Sequence, residues 1–335
     1  MDKETLIEVQ GLKTWFYTDE GIVKAVDGID LSIKKGKTLC VVGESGCGKS
    51  ITARSIMRLI EPPGKILEGK ITLSGKDGSE IDLTGFTPKG KEIRRIRGAD
   101  ISMIFQEPMS SLSPVHTIGN QLSETIRLHL KVSKEEAKVR SIEVLDKVGI
   151  PKAEQRFDSY PFELSGGMRQ RVMIAQALSC RARLLIADEP TTALDVTTQA
   201  NILDLILGLQ KEYNMSVMFI THDLGVVAEI ADEAVVMYLG KVVERGPVDA
   251  IFHDPKHPYL VSLLKSIPKL SAGEVQRLDS IRGMVPHPFN RPVGCPFHPR
   301  CDKAIKGRCD AELPPNLSLG PDREVACFLY GEGAS

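Results

Sequence analysis

Gly43-Glu44-Ser45-Gly46-Cys47-Gly48-Lys49-Ser50 has the spacing G-x-x-x-x-G-K-S. Residues of these types do one kind of chemistry well. The glycines let the backbone wrap with its N–H groups pointing inward, a concave cradle for anionic oxygens. A helix starting at Lys49-Ser50-Ile51 adds its positive dipole end. Lys49 is placed to reach the β- and γ-phosphates of a nucleotide, and Ser50 to ligate Mg²⁺. A chance Gly-rich turn would share the composition, but not eight fitted positions between an apolar strand and a helix. Cys47 is a loop filler, with no redox role.

A second acidic element complements the first. Leu184-Leu185-Ile186-Ala187 is an apolar run that ends in Asp188-Glu189. Such a strand would carry Asp188 to the edge of a phosphate site, where it can hold Mg²⁺ through water. Glu189, the next residue, is placed to polarise an attacking water as general base. Apolar runs ending in two acids are common, so this pair gains meaning only beside the phosphate loop.

The elements that must position these groups are legible in outline. Residues 5–33 alternate apolar and polar positions, which predicts antiparallel strands. TLCVVG, LLIADE and SVMFITHD are near-continuous apolar runs, as in strands buried on both faces. Helical spacing runs from Ser50 to Ile60, ended by Pro62-Pro63-Gly64, from about Ser123 to Val148, and again from near Ser165. Strand-like patterns return over residues 66–83, and VVMYLGKVVERG reads as a hairpin. Beyond about residue 252 Pro and His become frequent and apolar periodicity weakens, except over Tyr259–Ile267. A boundary near residue 250 follows, with domains over 1–250 and 251–335.

The 335 residues are enough for one large or two moderate domains. Basic and acidic residues nearly cancel, 43 against 44, which argues against a nucleic-acid partner. There is no run of 18 apolar residues and the charged start MDKETLIEVQ is unlike a signal peptide, so a cytosolic chain with reduced thiols is expected.

Leu164-Ser165-Gly166-Gly167-Met168-Arg169-Gln170-Arg171, just ahead of the Asp-Glu strand, resembles the signature motif of ATP-binding cassette (ABC) ATPases. Gln106 in MIFQEP resembles the family's Q-loop glutamine, Asp195 in TTALD its D-loop, and His222 in FITHD its switch histidine. The resemblance covers about residues 5–250. It implies an α/β P-loop NTPase fold, an ABC cassette with a RecA-like core, an antiparallel β subdomain and a helical signature subdomain at about 107–178. It also implies a head-to-tail dimer, with ATP held between one subunit's phosphate loop and the other's Ser165-Gly166-Gly167. Gln106 would help ligate Mg²⁺, His222 would contact the γ-phosphate, and an aromatic residue of Trp15-Phe16-Tyr17, Phe16 or Tyr17, would stack on adenine.

Within that family, AVDGIDLSIKKGKTLCVVGESGCGKS, MIFQEPMSSLSPVHTIGNQ, LSGGMRQRVMIAQAL and HPYLVSLLKSIP resemble the oligopeptide/dipeptide importer ATPases. Ser113 and Gln176 depart from the usual pattern, away from the nucleotide. Met168 resembles the D-type member of an unlike ATPase pair. The implied partners are a second ABC ATPase subunit (a heterodimer, with a homodimer as the alternative), two integral membrane permease subunits and, indirectly, an extracytoplasmic peptide-binding protein. The implied location is peripheral, at the cytoplasmic face of the membrane. A non-transport ABC ATPase is the rival; one phosphate loop and no long heptad array speak against it.

Four of the seven cysteines, Cys295, Cys301, Cys309 and Cys327, fall in the last 41 residues with the spacing C-x5-C-x7-C-x17-C. Structural zinc sites usually pair cysteines two to four residues apart, closer than these. Iron–sulfur clusters take four thiolates at varied spacings. The peptide-importer resemblance implies a [4Fe–4S] cluster in a small Cys-rich C-terminal extension; Zn²⁺ and free or paired thiols stay open. A structural clip is the plainer role and electron transfer the sharper one. His287 and His298 are neighbours that four thiols make unnecessary as ligands.

Overall fold

The computed structural model describes residues 2–106, 111–192, 194–266 and 281–331. Glu107 to Ser110 of the MIFQEPMSS stretch and the Ile-Pro end of HPYLVSLLKSIP lie outside these residues. The strands in chain order are β1 (Thr5–Thr18), β2 (Gly21–Lys34), β3 (Thr38–Val42), β4 (Gly64–Ser74), β5 (Glu80–Asp82), β6 (Ile101–Ile104), β7 (Leu184–Asp188), β8 (Ser216–Thr221), β9 (Glu233–Tyr238), β10 (Lys241–Pro247), β11 (Asn316–Gly320) and β12 (Arg323–Ala326). The α-helices are α1 (Lys49–Ile56), α2 (Lys91–Ile96), α3 (Ile118–Leu130), α4 (Lys134–Lys147), α5 (Ala153–Phe157), α6 (Gly166–Leu178), α7 (Val196–Tyr213), α8 (Leu224–Ile230), α9 (Val248–His253) and α10 (Pro258–Lys265). The chain forms two compact units interleaved in sequence: Met1–Leu6 with Ile33–Thr38 and Leu73–Ile220, and Ile7–Ser32 with Leu39–Thr72 and Thr221–Ser335.

In the first unit β6, β7 and β8 lie side by side and parallel, in registers that pair Ile101 with Leu184 and Leu184 with Ser216. All residues of the three strands are buried, which is why they read as unbroken apolar runs. Parallel neighbours need long crossovers. The β6–β7 connection contains α3 to α6, and α7 connects β7 to β8. The predicted single helix over Ser123–Val148 is two. Lys131 adopts a left-handed φ of 54° and ends α3, and the Ser133 side chain accepts from Glu136 N–H at 3.1 Å to start α4.

In the second unit β2, β1 and β4 neighbour one another in that order, and β3, β9, β10, β12 and β11 form a ladder. β3 runs parallel to β9, and β9 turns into antiparallel β10 through Leu239-Gly240, both at positive φ. β10 pairs with β12, Glu244 opposite Val325, so the C-terminal segment adds two strands to this sheet. Weak apolar periodicity had hidden this, because β11 is largely exposed and β12 only part-buried. The helix predicted over Ser50–Ile60 ends early, at Ile56, because Arg58 takes a left-handed φ of 55°. Tyr238, Tyr259 and Phe297 bring the end of β9, α10 and the Cys-rich segment into one buried aromatic cluster with ring centroids 4.7–5.3 Å apart.

Candidate active site

The second unit holds the phosphate loop. β3 ends at Val42, residues 43–48 form the loop, and α1 begins at Lys49. Two glycines are required by close approach. A Cβ on Gly43, at φ 151°, would stand 2.2 Å from the Met237 carbonyl oxygen, and one on Gly48, at φ 105°, 2.2 Å from that of Ala25. Gly48 is also the N-cap of α1, so the helix's first N–H groups receive no side-chain cap. Lys49 is buried and donates from Nζ to the carbonyls of Gly43, at 2.7 Å, and Glu44, at 3.2 Å. It is thus held along the inside of the loop. Ser45 and Gly46 are exposed, and Ser50 and Ile51 part-buried behind them. Burial raises the pKa of the Cys47 thiol, against the lowering effect of Lys49, consistent with a filler rather than a reactive thiol.

The same unit carries the aromatic candidates and the histidine. Phe16 is part-buried with its ring close to Gly64, whereas Tyr17 is exposed with Lys65 Nζ 5.7 Å from its ring centroid. His222 is exposed, between the end of β8 and Asp223, whose carboxylate caps α8 through Gly225 N–H at 2.8 Å.

The first unit holds the acids. Asp188 is the buried last residue of β7. Glu189 follows at a left-handed φ of 46°, a conformation costing about 1 kcal/mol or more for a non-glycine residue. Its backbone N–H donates to Ile220 O across 3.0 Å, and its Oε2 accepts from Gln106 Nε2 at 3.1 Å and Thr192 Oγ1 at 3.0 Å. The structure therefore joins Gln106 to Glu189 directly. Ser165 is the N-cap of α6, its Oγ accepting from Met168 N–H at 3.3 Å, and Ser165 and Gly166 are exposed. A Cβ on Gly166 would meet nothing within 4 Å, and Gly167 has Thr198 at 3.6 Å. Asp195 caps α7 through Thr198 N–H at 2.9 Å, and its hydrogen bonds to Thr198 lower its pKa.

These features fix the lineage once they are set beside known proteins. Residues 26–192 match the ABC transporter family model, and residues 243–309 match that of the oligopeptide/dipeptide transporter C-terminal region. The chain is 52% identical to the oligopeptide transport ATP-binding protein AppD of Bacillus subtilis, over 98% of both chains. It is 46% identical to the dipeptide transport ATP-binding protein DppD of Escherichia coli, over 96% of both. The chain belongs to the ABC transporter family, as one of its ATP-hydrolysing cassette subunits. The ABC fold is shared with the solved ATP-binding cassette MJ0796 in a dimeric post-hydrolysis state bound to ADP and Pi, with TM-score 0.64 and 26% identity over 72% of this chain and 99% of that one. ATP and Mg²⁺ are the ligands that an ABC cassette requires. Among the described residues no helix is long and apolar enough to cross a membrane.

The cysteines of this ABC subunit do not form the ready-made cage that their number suggests. None of the seven is in a disulfide. The four C-terminal thiols are gathered closely enough to act on one another: burial first, then the charges of Cys309, Cys327 and Cys301, push Cys295 up to about 11. Cys327 is likewise pushed to about 11 by burial and by Cys301 and Cys309. Cys295 N–H donates to Cys309 O at 2.8 Å, and Cys309 Sγ accepts from Ile305 N–H at 3.3 Å. Yet among the described residues no three His, Cys, Asp or Glu side chains stand where they could hold a metal ion. His298 Nδ1 meets Cys295 O at 2.9 Å, and His287 caps a short turn at Phe289 N–H.

Three residues whose long-range contacts sequence reading did not foresee organise this unit. Glu244 is fully buried and accepts from His257 N–H at 2.6 Å, Lys256 N–H at 3.0 Å and Arg323 Nη2 at 3.3 Å, tying α10 and β12 to β10. Tyr259 accepts the N–H of Glu44 at 2.9 Å, and Arg300 binds the Glu44 carboxylate. Nothing local marks them, because each acts across more than ten residues of sequence.

Proposed function

We propose that this chain is the ATP-hydrolysing subunit that powers dipeptide or oligopeptide import through a membrane ABC transporter, working peripherally at the cytoplasmic face. The observation that carries the reading is the end-to-end match to peptide-import ATP-binding proteins, through both the cassette and the C-terminal region. Lys49 and the loop N–H groups bind the nucleotide phosphates. Ser50 and Gln106 would supply hydroxyl and amide oxygens to Mg²⁺ and Asp188 a carboxylate through water, the hard donors that this ion takes, and the ion would supply charge neutralisation at the phosphates. Glu189 takes the proton of the attacking water, Gln106 and Thr192 orient its carboxylate, and His222 steadies the γ-phosphate. This chain's Ser165, Gly166 and Gly167 close the second side of the partner's nucleotide while the partner's signature loop closes this one, with Asp195 at the dimer contact, and Phe16 and Tyr17 are the candidates for adenine stacking. Closure on ATP and reopening after hydrolysis work through differential binding of the two dimer states. The partners in this reading are an unlike second ATPase subunit, two permease subunits and an extracytoplasmic peptide-binding protein. The domain division is a cassette over 1–250, with its helical subdomain at about 107–178, and an importer-type extension over 251–335.

The extension's Cys295, Cys301, Cys309 and Cys327 are four soft donors suited to a [4Fe–4S] cluster, with Zn²⁺ as the alternative, and a structural clip is the role that fits them. Its support is the number and chemical type of the donors, since the described side chains do not stand as a formed metal site. Iron, sulfide and zinc analysis of anaerobically purified protein tests it. Iron and sulfide near four each per chain, lost in Cys295→Ser, is the expected result, and metal-free folded protein sinks it.

The transport reading is tested in a cell lacking its own peptide-importer ATPases, supplied with this chain, its partner ATPase and their permease subunits. Uptake of a labelled peptide should return with the wild-type chain and not with Glu189→Gln. ATP hydrolysis without copurifying membrane subunits and without uptake would instead favour the non-transport reading.

A further inference from the structure

Glu44 is a carboxylate within a loop built to hold the phosphates of ATP, and it is clamped from the C-terminal extension. Arg300 Nη1 and Nη2 donate to Glu44 Oε2 and Oε1 at 2.7 and 3.1 Å, a two-point fork. The Arg300 side chain is only 4% exposed. It is fixed on every side: Nε donates to Arg282 O at 3.1 Å, Nη1 also reaches Tyr238 Oη at 3.3 Å, and the guanidinium lies 5.8 and 5.9 Å from the ring centroids of Tyr238 and Phe297. Tyr259 holds the Glu44 N–H and Lys49 the Glu44 carbonyl, so one loop residue is gripped at three points. Two of those grips come from beyond residue 250.

An uncompensated carboxylate here would repel a triphosphate within the screening length of physiological salt. Arg300 cancels that charge and fixes where it points. We propose that Arg300 is a positioning residue of the phosphate site, through which the extension sets the affinity of the loop for ATP. The proposal rests on the phosphate-loop reading of residues 43–50. It also links affinity to the turn His298–Arg300, which lies between Cys295 and Cys301.

The test is equilibrium binding of radiolabelled ATP to the purified full-length chain, a readout independent of hydrolysis. Arg300→Gln should weaken binding about tenfold, because the Glu44 charge then faces the triphosphate uncompensated. Adding Glu44→Gln to Arg300→Gln should recover most of the loss, because the repelling charge is then gone. A packing role for Arg300 would give no such recovery. Wild-type affinity in Arg300→Gln, or a double variant no better than the single, overturns the proposal. Should Arg300→Gln fail to fold, Arg300→Lys keeps the charge and loses the fork. It should weaken binding about threefold, an effect that Glu44→Gln removes, and wild-type affinity again overturns the proposal. Lys49→Ala separates the two layers of inference: undiminished ATP binding there overturns the phosphate-loop reading itself, and the proposal with it.

Discussion

Gln106 Nε2 donates to Glu189 Oε2 across 3.1 Å, joining the second residue after β6 to the first residue after β7. The parallel register of the two strands, Ile104 beside Ala187, brings both ends to one edge. Gln106→Ala should lower kcat about tenfold by freeing the carboxylate from its hydrogen bond, with a smaller effect on the KM for ATP. Steady-state phosphate release against ATP concentration separates the two parameters.

Glu189→Gln should cut hydrolysis by about 100-fold or more while ATP binding persists, because the amide cannot accept the water's proton. The left-handed backbone at this position is unaltered by the swap, so the variant should melt within a few degrees of wild type. Equal turnover by the two proteins would falsify the assignment of Glu189 as base.

Ser165→Ala removes the side-chain cap of α6 and should cost about 1 kcal/mol of stability. A far larger effect should appear in ATP-driven dimerisation with the partner ATPase, followed by light scattering with the Glu189→Gln form to prevent turnover. Wild-type dimerisation by Ser165→Ala would remove the signature loop from the proposed second half of the nucleotide site.

His257 supplies a pH signature. Burial pushes it down to about 3, from 6.5 for a free imidazole. Its Nδ1 accepts from Tyr259 N–H at 3.1 Å, which requires the neutral ring. Between those two values the unfolded chain binds a proton that the folded chain refuses, so falling pH favours unfolding. The contribution is flat above about 6.5 and falls by about 1.4 kcal/mol per pH unit below it. The groups packed around it are Glu244, which accepts the His257 N–H and whose own pKa burial raises, Phe297 and Tyr259. Raised pKa at Glu244 works in the opposite sense nearer the carboxylate range. Comparing wild type with His257→Asn by denaturant melts from pH 7.5 to 5 isolates the histidine. The variant should lose stability less steeply, and parallel curves would show that His257 is not held neutral.

Local patterning carried much of the fold. β3, β7 and β8 lie where unbroken apolar runs placed them, because strands buried on both faces leave no polar positions. Helix ends were less legible. The breaks at Arg58 and Lys131 depend on left-handed φ values at lysine and arginine, residues without a turn signature. β11 and β12 were invisible because edge strands lean on a neighbour rather than on their own periodicity.

The sequence by itself pointed to the reaction: the phosphate loop at Gly43–Ser50 and the acids at Asp188 and Glu189 follow from residue type and spacing, and the Ser165 stretch from its resemblance to the ABC signature. Only the tertiary structure decided what restrains them. Gln106 meets Glu189 through strands 80 residues apart in the chain, and Arg300 reaches Glu44 from the opposite end of it. Such pairs leave no spacing to read, because the hydrogen bonds that make them depend on distances in space that packing sets.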